Sequence, residues 1–409
     1  MRIAFFSDSY DSYRNYNDGV AVIGQNFTNY AVRKGLYLSV FTNDYSDSTE
    51  EVSETVKIHR FRPTIPWYLY KYHETPLDLL VPNPKLMSIF RQTQFDIVHF
   101  TQPCIMGLNA IYAAGKMLPR FPLTVPAFMA SADIPFLRKK RNKVLPLIGS
   151  FHTNAPAFAE LRTGSKFFKR FMEDMVNHFY QNCDIVLATS RYTQKELSHY
   201  VKGKVFGIFR SGVNTDSFHP QKRDESFRKS LDDKTILFFA GRMTPEKNLG
   251  FLKDVYVKLL QKHSDIHLFI AGDGEIREYL QRELRDKVTT PGFLYKEDLY
   301  RAFASSDIFV FPSTTDTLGL VVLEAQASGL PVIVTDQGGA MEVMEDGETG
   351  FLCNVNTIDD FVEKIDRLIT NKKMREDMGR KGRILAEQYS WDRAFDSLLK
   401  VYEEFVKNV

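Results

Sequence analysis

A chain of 409 residues, 44% of them hydrophobic, exceeds what one apolar core usually organises, so two domains are the first expectation. Its 53 Lys and Arg nearly balance 51 Asp and Glu, for a net charge of +2, and no nucleic-acid-binding motif is present, which excludes a polycationic nucleic-acid binder. No run of about 18 apolar residues marks a membrane span, and the opening MRIAFFSDSY lacks a secretory leader's pattern, so a cytoplasmic location is expected.

The first predicted strand is RIAFFS, followed by a polar loop with Asn17, Asp18, Gly19 and Val20 and then by the helix-like VIGQNFTNYAVRKG. YLSVFTN, FDIVHF, LPLIGSFH and CDIVLATS follow, several with helical patterns between them. Short apolar runs alternating with helices predict parallel strands covered on both faces. Residues 57–72, from Lys57-Ile58-His59-Arg60-Phe61-Arg62 to Trp67-Tyr68-Leu69-Tyr70-Lys71-Tyr72, mix basic and aromatic side chains as a membrane interface with anionic lipid would require.

Gly, Pro and polar residues between 203 and 220 suggest a domain crossing, and the strand rhythm then restarts with KTILFFAG, IHLFIAGDG, DIFVFPS and LPVIVTD. The expected division is 1–203 plus 388–409 against 204–387. The helix WDRAFDSLLKVYEEFV carries Phe395, Leu398, Leu399, Tyr402 and Phe405 on one stripe and is expected to cross back onto the front domain. Charge divides unevenly: residues 1–200 hold 23 Lys and Arg against 17 Asp and Glu, whereas 201–409 hold 30 against 34. A basic front half suits an acidic surface or a phosphorylated acceptor. Cys104, Cys183 and Cys353 are far apart and outside any C-x-x-C arrangement, so they predict buried side chains.

In open parallel sheets ligands bind beyond the carboxyl ends of the strands, and the informative residues lie there. After KTILFFA comes Gly241-Arg242-Met243-Thr244-Pro245-Glu246-Lys247-Asn248, where Arg242 can grip two phosphate oxygens and Lys247 adds a point charge. Gly272-Asp273-Gly274 follows IHLFIA. After DIFVFPS, the run from Ser313 to Ala325 offers Gly319 for close backbone approach and peptide N–H groups for a diphosphate. Glu324 lies eight residues after Asp316, about two turns if one helix spans both, and paired carboxylates suit sugar hydroxyls. In the front half, His152 of SFHTN and His99 of DIVHF also sit at strand ends.

GRMTPEKN, AGDGE, PGFLYKEDL and STTDTLGLVVLEAQASGLPV resemble the signatures of the retaining glycosyltransferase family 4, and the similarity spans nearly the whole chain. The resemblance implies an α/β GT-B fold, two Rossmann-like domains facing across a deep cleft, with a nucleotide-sugar donor bound between them. It implies a diphosphate held by Arg242 and Lys247, a base against the backbone at Phe293 and Leu294, and ribose hydroxyls on Glu324. Asp316 stands where the family has Glu and would contact the transferred sugar, with Gly272, Gly319, Leu320 and Val321 near the phosphates and sugar. From the front half, Gly19 matches a glycine that approaches the diphosphate, and His152 matches an active-site histidine that hydrogen-bonds the donor sugar. Catalytic roles are thereby expected for His152, Asp316, Arg242 and Lys247.

No D-x-D is present to hold a divalent metal for a donor, so neither metal nor cofactor is expected. Residues 116–143, ending in Arg138-Lys139-Lys140-Arg141, look like an insertion relative to the family and form a candidate membrane or acceptor element. The expected partners are a nucleotide-sugar donor, a lipid, glycan or protein acceptor and an anionic membrane surface, with no nucleic acid. A sugar-nucleotide epimerase and a phosphorylase are the rival readings, since both use two facing Rossmann-like domains.

Overall fold

The computed structural model describes residues 1–10, 19–44, 46–62, 83–116 and 144–407. Loop residues Asn17 and Asp18, the aromatic run 67–72 and nearly all of the 116–143 segment lie outside them.

The front domain is built on β1 (Arg2–Ser7), β2 (Tyr37–Asn43), β3 (Ser48–Glu51), β4 (Val56–Phe61), β5 (Ile97–Phe100), β6 (Leu147–Phe151), β7 (Ile185–Ala188) and β8 (Phe206–Ile208), in the order β3-β4-β2-β1-β5-β6-β7-β8. All neighbours are parallel except β3 and β4. The period-two geometry of a strand distributes its apolar residues over two layers. Ala4, Phe6, Val98, Phe100 and Leu147 face the helices Pro84–Gln92 and Lys166–Tyr180. Ile3, Phe5, Val40, Ile97 and Ile148 face the helices Gly19–Lys34 and Trp391–Lys407.

The back domain contains β9 (Thr235–Ala240), β10 (Ile266–Ala271), β11 (Val288–Gly292), β12 (Ile308–Phe311), β13 (Val332–Thr335) and β14 (Gly350–Cys353). Their order, β11-β10-β9-β12-β13-β14, is that of a doubly wound sheet and reverses direction between β9 and β12. The crevice beyond the carboxyl ends of those two strands is where such a sheet binds its ligand.

Two expectations change at this level. The boundary expected between 203 and 204 precedes β8, yet β8 pairs with β7 and so extends the front sheet to Ile208. Lys57 to Phe61 is sheet interior and edge rather than a membrane patch: Ile58, His59 and Phe61 are buried in β4. The cations there are already paired, Lys57 with Glu51, and Arg60 with Glu50 at 2.8 Å.

The stripe expected on Trp391–Lys407 packs as anticipated. Phe395 sits 4.9 Å from Phe27 and 5.3 Å from Tyr30, ring to ring, while Leu399 and Phe405 cover the edge of the same cluster. All three cysteines are buried.

Candidate functional site

Arg242 and Lys247 leave β9 on a loop whose shape depends on close contact with the loop after β10. A Cβ on Gly272 would lie 1.9 Å from the Gly241 carbonyl oxygen, so only glycine permits the two backbones to touch. Met243 N–H then donates to the Asp273 carbonyl at 2.8 Å. Glu246, almost wholly buried, presents a carboxylate oxygen 3.4 Å from the Arg242 guanidinium. The Ser313 hydroxyl donates to the Glu246 carbonyl at 3.1 Å and thereby joins this loop to the one after β12.

That junction brings Lys247 and Asp316 together. The Lys247 ammonium donates to both Asp316 carboxylate oxygens, at 2.7 and 2.8 Å, and stands 5.4 Å above the Phe311 ring. The pair is mostly shielded from solvent, which strengthens an ion pair relative to a surface one.

Asp316 and Glu324 do not share a helix. Gly319 adopts a left-handed φ of 79° and ends the polar loop, so the helix begins only at Leu320 and runs to Ala327. A side chain on Gly319 would lie 2.6 Å from the Ala340 Cβ, which fixes glycine there. The eight-residue spacing is therefore a loop followed by one helical turn, rather than two turns. Glu324 is half-buried with no carboxylate partner among the described residues, and desolvation pushes its carboxyl up to about 8.

The front domain meets this site at two places. Gly19 opens the helix Gly19–Lys34, and a Cβ built on it would stand 3.4 Å from Leu320 Cδ1. Two helix N-termini, at Gly19 and at Leu320, thus converge between the domains. Their first N–H groups lack intrahelical acceptors and carry partial positive charge, a setting that favours an anion.

At the second place, the His152 carbonyl accepts a 2.8 Å hydrogen bond from the Thr317 hydroxyl. The Thr317 carbonyl in turn accepts from the Thr189 and Thr193 hydroxyls at 2.8 and 2.9 Å. His152 Nε2 is buried with no hydrogen-bond partner among the described residues, and burial pulls the imidazole down to about 4, so the ring is neutral at physiological pH. His99 is occupied elsewhere: Nε2 meets the Ser150 hydroxyl at 2.6 Å and Nδ1 the Tyr402 hydroxyl, so it anchors the crossing helix.

Phe293 and Leu294 follow β11 as expected. Leu294 lines a cavity of about 380 Å³ together with Pro291, Phe227, Phe269 and Arg301. Val321 and Leu320 are half-buried beside Gly319.

Thr317, Thr189, Thr193 and Glu342 escaped the sequence reading. The Glu342 carboxylate of the back domain accepts the Arg191 and Tyr192 N–H groups at 3.0 and 2.5 Å, capping a front-domain helix. Hydroxyl-to-carbonyl bonds between residues more than a hundred positions apart leave no local pattern. The one available signal is the position of Thr317 beside Asp316.

Residues 221–385 match the family model described as glycosyl transferases group 1. Over that stretch, less than half of its length, the chain matches this family. It is 30% identical over 333 residues to the sulfoquinovosyl transferase SQD2 of Arabidopsis thaliana, covering 79% of this chain but only 59% of that protein. A GDP-mannose-dependent alpha-mannosyltransferase of Mycolicibacterium smegmatis is 28% identical over 356 residues, covering 87% of this chain and 84% of that one. The sucrose-phosphate synthase of Thermosynechococcus elongatus aligns over 100% of both chains with a TM-score of 0.75 at 17% identity. Anabaena Alr3699/HepE in complex with UDP-glucose aligns over 99% of this chain and 100% of its own, with a TM-score of 0.69, also at 17% identity. Those likenesses establish the fold, and the glycosyltransferase has the GT-B architecture expected from its motifs.

Proposed function

We propose that this chain transfers a hexose from a nucleotide-diphosphate sugar to a lipid or lipid-linked acceptor, with retention of configuration and without a metal. The observation that carries the reading is the Lys247–Asp316 contact at the crevice between β9 and β12. It supports a role for Lys247 as a phosphate ligand beside Asp316 as a sugar ligand, with Arg242 on the loop of Lys247.

In this reading the diphosphate enters between the two helix N-termini and takes the ammonium of Lys247 and the guanidinium of Arg242. Asp316, released from Lys247, accepts a hydroxyl of the transferred sugar, and Glu324 accepts the ribose hydroxyls. As the bond to the diphosphate breaks, negative charge grows on the leaving oxygen, where two cations and loop amides are already oriented. That charge stabilisation makes a divalent ion dispensable. The buried Nε2 of His152 has capacity for a donor-sugar hydroxyl.

For the acceptor, support comes from the name sulfoquinovosyl transferase of one relative and from the basic balance of residues 1–200. Among the described residues no helix is long and apolar enough to cross a membrane, so lipid would be met by peripheral association.

Thermal-shift measurements against UDP-, GDP- and ADP-sugars test the donor site. One nucleotide-sugar should raise the melting temperature, and Arg242→Ala should abolish the rise. An equal rise in Arg242→Ala would remove the assigned diphosphate site.

A further inference from the structure

The front domain carries an apolar and basic projection that the catalytic arrangement does not use. Helix Ala155–Thr163 leaves the loop that holds His152 and lies against the turn Pro245–Lys247. The chain reverses through Gly164, whose N–H donates to the Glu160 carbonyl at 2.8 Å, and continues as the helix Lys166–Tyr180. Only the second half of that helix enters the core, through Val176, Phe179 and Tyr180. Its first turns extend beyond the core as the tip of a helical hairpin at the mouth of the cleft.

At this tip Phe167 is 68% exposed, Phe168 49% and Leu161 50%. The two phenyl rings touch edge to face, with centroids 5.6 Å apart. Two adjacent exposed phenylalanines beside an exposed leucine form a patch rather than the isolated apolar residues common on surfaces.

The charge within the tip itself is of one sign, with acids only at its flanks, Glu160, Glu173 and Asp174. Residues 161–172 contain four Lys and Arg and no Asp or Glu. Lys169 pairs with Glu160 at 2.6 Å, whereas Arg162, Lys166 and Arg170 are exposed and have no ion-pair partner among the described residues. Apolar rings alone would suit many partners. Rings ringed by unpaired cations suit a surface that is apolar below and anionic above, as at the headgroup boundary of a bilayer.

We infer that the Leu161–Arg170 tip is the segment by which this protein docks on anionic lipid, inserting Phe167 and Phe168 among the acyl chains while Arg162, Lys166 and Arg170 meet the headgroups. The inference rests on the proposed lipid acceptor and gives it a place. It also moves the contact away from Lys57–Phe61, whose cations are paired and whose apolar side chains are internal. A membrane docked here would lie beside the loop of His152, so an acceptor head could reach the cleft without leaving the bilayer.

The test uses the full chain and sedimentation with vesicles of equal parts phosphatidylcholine and phosphatidylglycerol. The unaltered chain should sediment with these vesicles and release as salt is raised. Phe167→Ser with Phe168→Ser should lower binding at least about tenfold, since two rings are withdrawn from the apolar layer. Lys166→Glu with Arg170→Glu should lower it by about fivefold or more for each cation reversed. Both variants should keep the nucleotide-sugar melting shift, which shows that they fold.

If the unaltered chain binds and both variants bind equally well, the tip is not the docking segment, although the lipid reading stands. Failure of the unaltered chain to bind removes both. A dimer that Phe167→Ser with Phe168→Ser turns into monomer, without affinity for vesicles, would assign the patch to a second copy and overturn the inference.

Discussion

The two halves of this enzyme share a layered α/β plan but distribute their functional residues differently. In the back half, Arg242 and Lys247 follow β9 while Asp316 and Glu324 follow β12, the two strands that flank the reversal of strand order, and Arg242, Lys247 and Asp316 are held by contacts within that half. In the front half, His152 and Gly19 reach the site singly. His152 is held there by Thr317, which belongs to the other domain. The contacts among Arg242, Lys247 and Asp316 are thus complete within one domain, whereas His152 joins them only when both domains are apposed.

That contrast can be broken by separating binding from turnover. His152→Ala should leave the nucleotide-diphosphate melting shift within about twofold in affinity while lowering kcat about a hundredfold, the usual scale for losing an oriented polar contact to the reacting centre. Equal loss of both would show that the donor is not held by the back half alone.

A smaller effect would sharpen the comparison. Thr317→Val removes the hydroxyl that holds the His152 carbonyl, and kcat should fall about tenfold with KM for donor little changed. Thr317→Ser should recover most of the loss, because it keeps the hydroxyl. If serine fails to rescue, Thr317 acts by filling space.

The smallest effect concerns Glu324 and stability. Its carboxyl is raised from 4.5 to about 8 in the folded protein, so folding favours its protonated form. The associated stability is fully present below pH 4.5 and is lost as pH rises through about 8. Glu324→Gln cannot ionise, so its melting temperature should exceed that of the unaltered chain by a few degrees at pH 8 and match it near pH 4.5. An identical pH dependence in both proteins would place the carboxylate in water.

Legibility followed the same division. Continuous apolar strands such as KTILFFA and DIFVF announced the doubly wound back sheet directly. In the front half, β4 was hidden because Lys57, His59 and Arg60 break its apolar pattern. What makes it a strand is the antiparallel partner β3, whose Glu50 and Glu51 answer those cations. The crossing at Ile208 was set too early because β8 is three residues long and only half-buried, so its membership depends on pairing with β7 rather than on composition. The eight-residue spacing of Asp316 and Glu324 amounts to two turns only if one helix spans both, and Gly319, in a left-handed conformation, delays the helix to Leu320. The front-domain tip went unnoticed because KFFKRF looks like the start of an ordinary amphipathic helix until the core is seen to end at Val176.

The helix Trp391–Lys407 supplies Trp391, Phe395, Leu398 and Tyr402 to the core of a domain whose other strands come from the first half of the chain. During synthesis, therefore, one face of the front sheet has only the helix Gly19–Lys34 to cover it while nearly two hundred further residues emerge and the back domain folds between its parts. The hydrogen bond between His99 and Tyr402 closes that interval. A chain arrested before it would have a finished back domain and an aggregation-prone front one, so synthesis completes the back half of this protein first.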